Sequence, residues 1–136
     1  MHGIDKVREI NELTERIIGL AIEVHRHLGP GLPEAAYERA LCIELTAAGI
    51  PYRRQIGVPI VYKGEVIAEH RPDLVVADLV VVEVKAIERF APVHTSQMLT
   101  YLRITGCELG LLLNFNEATL VAGVKRVVLQ MGAKTL

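Results

Sequence analysis

Arg71-Pro72-Asp73-Leu74-Val75-Val76-Ala77-Asp78-Leu79-Val80-Val81-Val82-Glu83-Val84-Lys85-Ala86 is the most strand-like stretch of the chain. β-Branched and apolar residues dominate it, as in a buried pair of strands. Asp73, Glu83 and Lys85 interrupt the pattern, and such side chains are rarely buried unless paired or bound. A metal ion or a reaction is the usual compensation.

Glu83 and Lys85 stand two apart on one strand, so their side chains leave the same face, while Val82 and Val84 take the other. Whether Asp73 joins them depends on the hairpin. Pairing Asp73 with Glu83 requires a three-residue connection through Ala77, Asp78 and Leu79. A two-residue turn at Ala77-Asp78 would instead set Asp73 opposite Val82 and turn Glu83 to the far face. If the carboxylates converge beside the lysine, a few hard oxygens with room for water and phosphate suit Mg²⁺ or Mn²⁺. The lysine can then orient or help deprotonate a water and offset charge during phosphodiester hydrolysis. The plainer alternative is that Asp73 caps a turn while Glu83 and Lys85 pair on an exposed sheet face. The short pattern by itself leaves both open.

Outward from this stretch, residues from about Asp5 to Leu28 read as an amphipathic helix with Ile10, Leu13, Ile17, Ala21, Val24 and Leu28 on its apolar stripe. His25 and His27 read as cations near its C-terminus. Gly29-Pro30-Gly31 breaks it, and a second helix begins near Pro33 and stops at Gly49. Pro51 to Tyr62 reads as an edge or irregular strand, Lys63-Gly64 as a hairpin turn, Glu65 to Val76 as a second strand and Val80 to Lys85 as a third. Phe90-Ala91-Pro92 ends the meander. Thr95 or Ser96 can cap a third helix running to about Thr105 and closed by Gly106. Gln97 and Tyr101 share one face of it, apart from Met98 and Leu102. Glu108 to Phe115 suits a central strand covered on both sides, and Val124 to Met131 a last strand or short helix. The expected fold is α/β, one sheet with helices on its faces.

At 136 residues and 51% hydrophobic content, the chain reads as one ordered domain. Fifteen Lys and Arg balance sixteen Asp and Glu, which excludes gripping nucleic acid by bulk charge alone. Cys42 and Cys107 form no ligand pattern and read as reduced core residues of a cytoplasmic protein. The N-terminus has no signal-like apolar run, and no apolar stretch approaches the ~18 residues of a membrane span.

The sequence resembles the GxxExxY family, a compact branch of the PD-(D/E)XK nuclease superfamily. The naming motif stands as Gly31-Leu32-Pro33-Glu34-Ala35-Ala36-Tyr37, led in by His25-Arg26-His27-Leu28-Gly29-Pro30. The superfamily motif is similar to Arg71-Pro72-Asp73 with Glu83-Val84-Lys85, and Gln97-Met98-Leu99-Thr100-Tyr101 resembles a QxxxY element. Gly110 to Phe115 and Gly123 to Arg126 look like the family's tail. The resemblance implies a restriction-endonuclease-like fold of one mixed central sheet flanked by helices. It implies that Asp73, Glu83 and the Val84 carbonyl ligate Mg²⁺ or Mn²⁺, that Lys85 is the catalytic lysine, and that Glu34 completes the acidic shell. Gln97 and Tyr101 would steady the site or contact the substrate backbone.

The expected activity is metal-dependent hydrolysis of DNA, with RNA second. The alternative is a non-catalytic nucleic-acid or protein interaction module on the same fold. Arg53, Arg54, Arg71, Arg89 and Arg103 are available as phosphate contacts, although exposed arginines are usually only solvated. His25, His94 and Asn114 read as caps or polar contacts at the site's edge, and Tyr37 as a core residue. Tyr101 is evenly divided between core and site. The hydrophobic content is compatible with a homodimer or a protein partner.

Overall fold

The apolar stripe of the first segment does form a helix, α1 (His2–Leu28), in the computed structural model, which describes residues 2–129. Ile10, Leu13, Ile17, Ala21 and Val24 are buried, but Leu28 is 41% exposed. It is the last helical residue before Gly29, whose φ of 67° turns the chain away. His25 is buried in that final turn instead, its Nε2 2.9 Å from the Glu117 carbonyl. Only His27 is a surface cation candidate, pairing with Glu23 at 2.8 Å. Helix α2 (Glu34–Ala47) follows, with Pro33 as its N-cap.

The expected three-strand meander is five pieces. Pro51 to Tyr62 divides into β1 (Tyr52–Arg54) and β2 (Val58–Tyr62), because Gln55 turns left-handed at φ 53°. Glu65 to Val76 divides into β3 (Glu65–His70) and β4 (Leu74–Val76) around Arg71-Pro72-Asp73, where proline cannot continue a ladder. β2 and β3 form a hairpin of their own, turned at Lys63 and Gly64 with positive φ at both. β5 (Val80–Lys85) spans the expected residues. Helix α3 (Pro92–Thr105) starts three residues before Thr95, since Pro92 is pre-set for a first turn and His94 closes the cap by accepting the Ala91 N–H at 2.9 Å. β6 (Leu109–Asn114) is buried throughout, and β7 (Val124–Val128) settles the last element as a strand. Met131, where the sequence placed its end, lies outside the described residues.

The main sheet has the order β1-β4-β5-β6-β7. β5 and β6 are parallel, joined through α3, and the other pairs are antiparallel, so the sheet is mixed. Alternate residues of β5 and β6 enter two cores. Val80, Val82, Val84, Leu109, Leu111 and Leu113 pack with α1 and α2. Val81 and Leu112 pack with Met98, Tyr101 and Leu102 of α3. Glu83 and Lys85 therefore belong to the α3 face. Among the described residues no helix is long and apolar enough to cross a membrane. Cys42 and Cys107 are buried and free.

Candidate active site

The site forms where β4 begins and β5 ends. Leu74 pairs with Val82, Val75 with Val81 and Val76 with Val80, the register in which Asp73 faces Glu83. The turn combines both forms that the sequence left open. Ala77 (φ 52°) and Asp78 (φ 56°) are left-handed, and the Leu79 N–H donates to the Val76 carbonyl at 2.9 Å, as in a two-residue I′ turn. Leu79 is then an extra residue, a bulge that restores the three-residue register. One inserted residue decides which face Glu83 occupies.

Glu83 is 4% exposed, beneath α3, and it is not an exposed partner of Lys85. Its Oε2 accepts the Asp73 N–H at 3.1 Å, and Asp73 Oδ2 accepts the Val84 N–H at 2.8 Å. Burial first, and the Asp73 charge second, raise Glu83 to about 9, with Lys85 opposing the rise. Glu83 thus holds a proton at neutral pH while no cation sits between the carboxyls. Tyr101 is buried on α3, and burial followed by the nearby Glu83 charge pushes its ionisation far upward. Its hydroxyl therefore stays a donor. Gln97 lies one turn earlier, half-buried.

Glu34 reaches the end of β5 from the opposite layer. Its Oε2 accepts the Ala86 N–H at 3.1 Å, one residue beyond Lys85. The rest of its motif arranges this approach. Gly31 takes a φ of 106° that disfavours any side chain, and Tyr37 donates its hydroxyl to the Gly29 carbonyl while accepting the Leu32 N–H. Its ring stacks on Phe115 at 4.6 Å. Tyr37 is a core clamp on the loop that precedes Glu34. Asn114 plays a similar part behind β5, donating to the Ile87 carbonyl and accepting the Ile87 N–H.

A family model of the PD-(D/E)XK nuclease superfamily matches residues 11–127. The chain belongs to that superfamily. No curated protein and no solved structure matches it. PD-(D/E)XK proteins are generally nucleases, typically with divalent metals, and the mixed sheet with flanking helices is consistent with their fold.

In this PD-(D/E)XK chain the donor set fits a hard cation in part. Asp73 and Glu83 offer adjacent carboxylate oxygens, and a cation between them would displace the Glu83 proton. Among the described residues no third His, Cys, Asp or Glu joins them as a metal-holding group. Mg²⁺ tolerates such a site, since it retains several waters beside one or two carboxylates. The arginines named from sequence are largely committed to acids: Arg53 to Asp78, Arg54 to Glu38, Arg71 to Glu69 and Arg89 to Glu88.

Two residues beside Asp73 were missed in the sequence. Glu38 is buried on α2 and Gln55 follows directly after β1. The Gln55 amide donates to Glu38 and, at 3.2 Å, to Asp73 Oδ1. The available signal was Glu38 itself, an acid among Tyr37, Leu41, Cys42 and Leu45 on the buried side of α2.

Proposed function

We propose that this chain is a metal-dependent nuclease of the GxxExxY branch, hydrolysing phosphodiester bonds of DNA, with RNA the second substrate, and that residues 1–136 are one domain built for it. The observation that carries the reading is the β4–β5 register, which sets Asp73 opposite Glu83 with Lys85 on the same face. A bound Mg²⁺ or Mn²⁺, held by Asp73, Glu83 and the Val84 carbonyl, would supply Lewis-acid stabilisation of phosphate oxygens. Lys85 forms no ion pair among the described residues, so its ammonium is available to orient the attacking water and offset growing negative charge. Tyr101 holds the Glu83 carboxyl by its hydroxyl. Gln97, on the same face of α3, contacts the substrate backbone. Glu34, whose Oε2 accepts the Ala86 N–H beside Lys85, completes the acidic shell.

The second reading, a non-catalytic nucleic-acid or protein interaction module, draws on the balanced charge and on the pairing of Arg53, Arg54, Arg71 and Arg89. One experiment separates the two. Wild type and Lys85→Ala are incubated with single- and double-stranded DNA and RNA in Mg²⁺, Mn²⁺ or chelator. The expected result is metal-dependent product from wild type, reduced at least ~10²-fold in Lys85→Ala, as for loss of a group stabilising transition-state charge. Product unaffected by the substitution would sink the assignment of Lys85. Binding without cleavage in every condition would favour the interaction module.

A further inference from the structure

Asp73 is held by more than its own strand. Gln55 lies directly beside it across the β1–β4 edge, and the Gln55 N–H donates to the Asp73 carbonyl at 3.0 Å. The Gln55 amide nitrogen reaches Asp73 Oδ1 at 3.2 Å and both oxygens of Glu38 at 3.1 and 3.2 Å. An amide NH₂ has two hydrogens, enough for one carboxylate on each side. Glu38 is buried and anchored by Arg54 Nε at 2.6 Å, and Arg71 donates to the Gln55 carbonyl at 3.2 Å. Gln55 also occupies left-handed backbone at φ 53° without being glycine, a strained conformation that persists only where the surroundings enforce it.

We propose that Gln55 is a positioning residue for Asp73, kept in place by Glu38. The proposal rests on the nuclease reading only for its consequence at the metal. With Oδ1 held by Gln55 and Oδ2 by the Val84 N–H, the carboxylate plane is set, and each oxygen keeps a lone pair for a cation. The place between Glu38 and Asp73 suits a double donor: a carboxylate would repel both, and a hydroxyl has one hydrogen. Residues that orient a metal-binding carboxylate typically contribute about 10–100-fold in affinity.

The test titrates full-length wild type, Gln55→Met and Gln55→Gly with Mn²⁺, following the free ion by electron paramagnetic resonance and the fold by circular dichroism. Both variants should bind Mn²⁺ about 10–100-fold more weakly. Gln55→Gly also relieves the left-handed backbone, so it should melt above Gln55→Met without recovering affinity. A merely structural role would make affinity follow the melting temperature. Wild-type affinity in either folded variant would overturn the proposal. Should both variants fail to fold, Glu38→Gln replaces them: it keeps Gln55 but removes the charge that aims its amide, and unchanged Mn²⁺ affinity there would equally overturn the proposal. Absence of Mn²⁺ binding by wild type would count against the nuclease reading alone. A double-mutant cycle in chelator, Gln55→Met with Asp73→Ala, then decides the positioning link. Non-additive losses of melting temperature uphold it, and additive losses refute it.

Discussion

Glu83 carries the chemistry that most depends on its surroundings. Unfolded, it titrates near its ordinary value of 4.5, whereas burial and Asp73 raise it to about 9 in the fold. The folded, metal-free protein therefore binds the proton more tightly. The stability this contributes is fully present below the unfolded value and is lost as pH rises through the folded one. In chelator, the melting temperature should fall from roughly pH 6 to pH 9, and Glu83→Gln, which cannot ionise, should flatten that fall. A wild-type profile as flat as the variant's would refute the raised, protonated Glu83. That Glu83 and Lys85 share a face was legible, because strand periodicity alone requires it. The contacts of Gln55 with Glu38 and Asp73 were not, since they join residues 17 and 18 positions apart, brought together only when α2 and β4 meet β1.

The hairpin between β4 and β5 shows how one position governs a face. Deleting Leu79 would leave a plain two-residue turn and, by one step of register, separate Asp73 from Glu83. The turn itself stores strain, because Ala77 is left-handed at φ 52°. Ala77→Gly should raise stability by about 0.5–1 kcal/mol, seen in urea denaturation as a higher midpoint with an unchanged slope. A lower midpoint would mean that the Ala77 methyl, packed at the edge of the α1–α2 core, outweighs the strain. Elements bounded by strong local signals were read correctly, as at Lys63-Gly64, Gly106 and β5. The strand breaks at Gln55 and at Arg71-Pro72-Asp73 were not, because Gln55 has no intrinsic preference for left-handed backbone and is held there by its neighbours. The start of α3 was missed for a different reason: serine and threonine are common caps, yet here His94 supplies the cap from inside the helix.

The whole molecule places its acids at one end of a mixed sheet and spends many of its arginines on other acids. Element order, two-sided burial of β6 and the α/β class were legible from hydrophobic patterning, whereas the separate β2–β3 hairpin emerged only once both flanking strands were seen to break. Net charge is −1, and Arg53, Arg54, Arg71 and Arg89 each lie within 4.0 Å of a carboxylate. On the proposed reading a nucleic acid would be held through few phosphates near Lys85, with a bound metal as the main countercharge. Each neutralised phosphate steepens the dependence of log affinity on log salt by about 0.9 for duplex DNA. Lys85→Ala, which binds without cutting in this scheme, should show a slope of about −1 to −3 on duplex DNA with Mg²⁺ present. A slope steeper than about −6 would require a continuous basic track. Such a track could draw on arginines released from their pairs on binding or on a second copy of the chain. Repeating the titration with Arg54→Gln and Arg71→Gln would separate these: a shallower slope in either variant identifies arginines released to the phosphates, and an unchanged steep slope points to assembly.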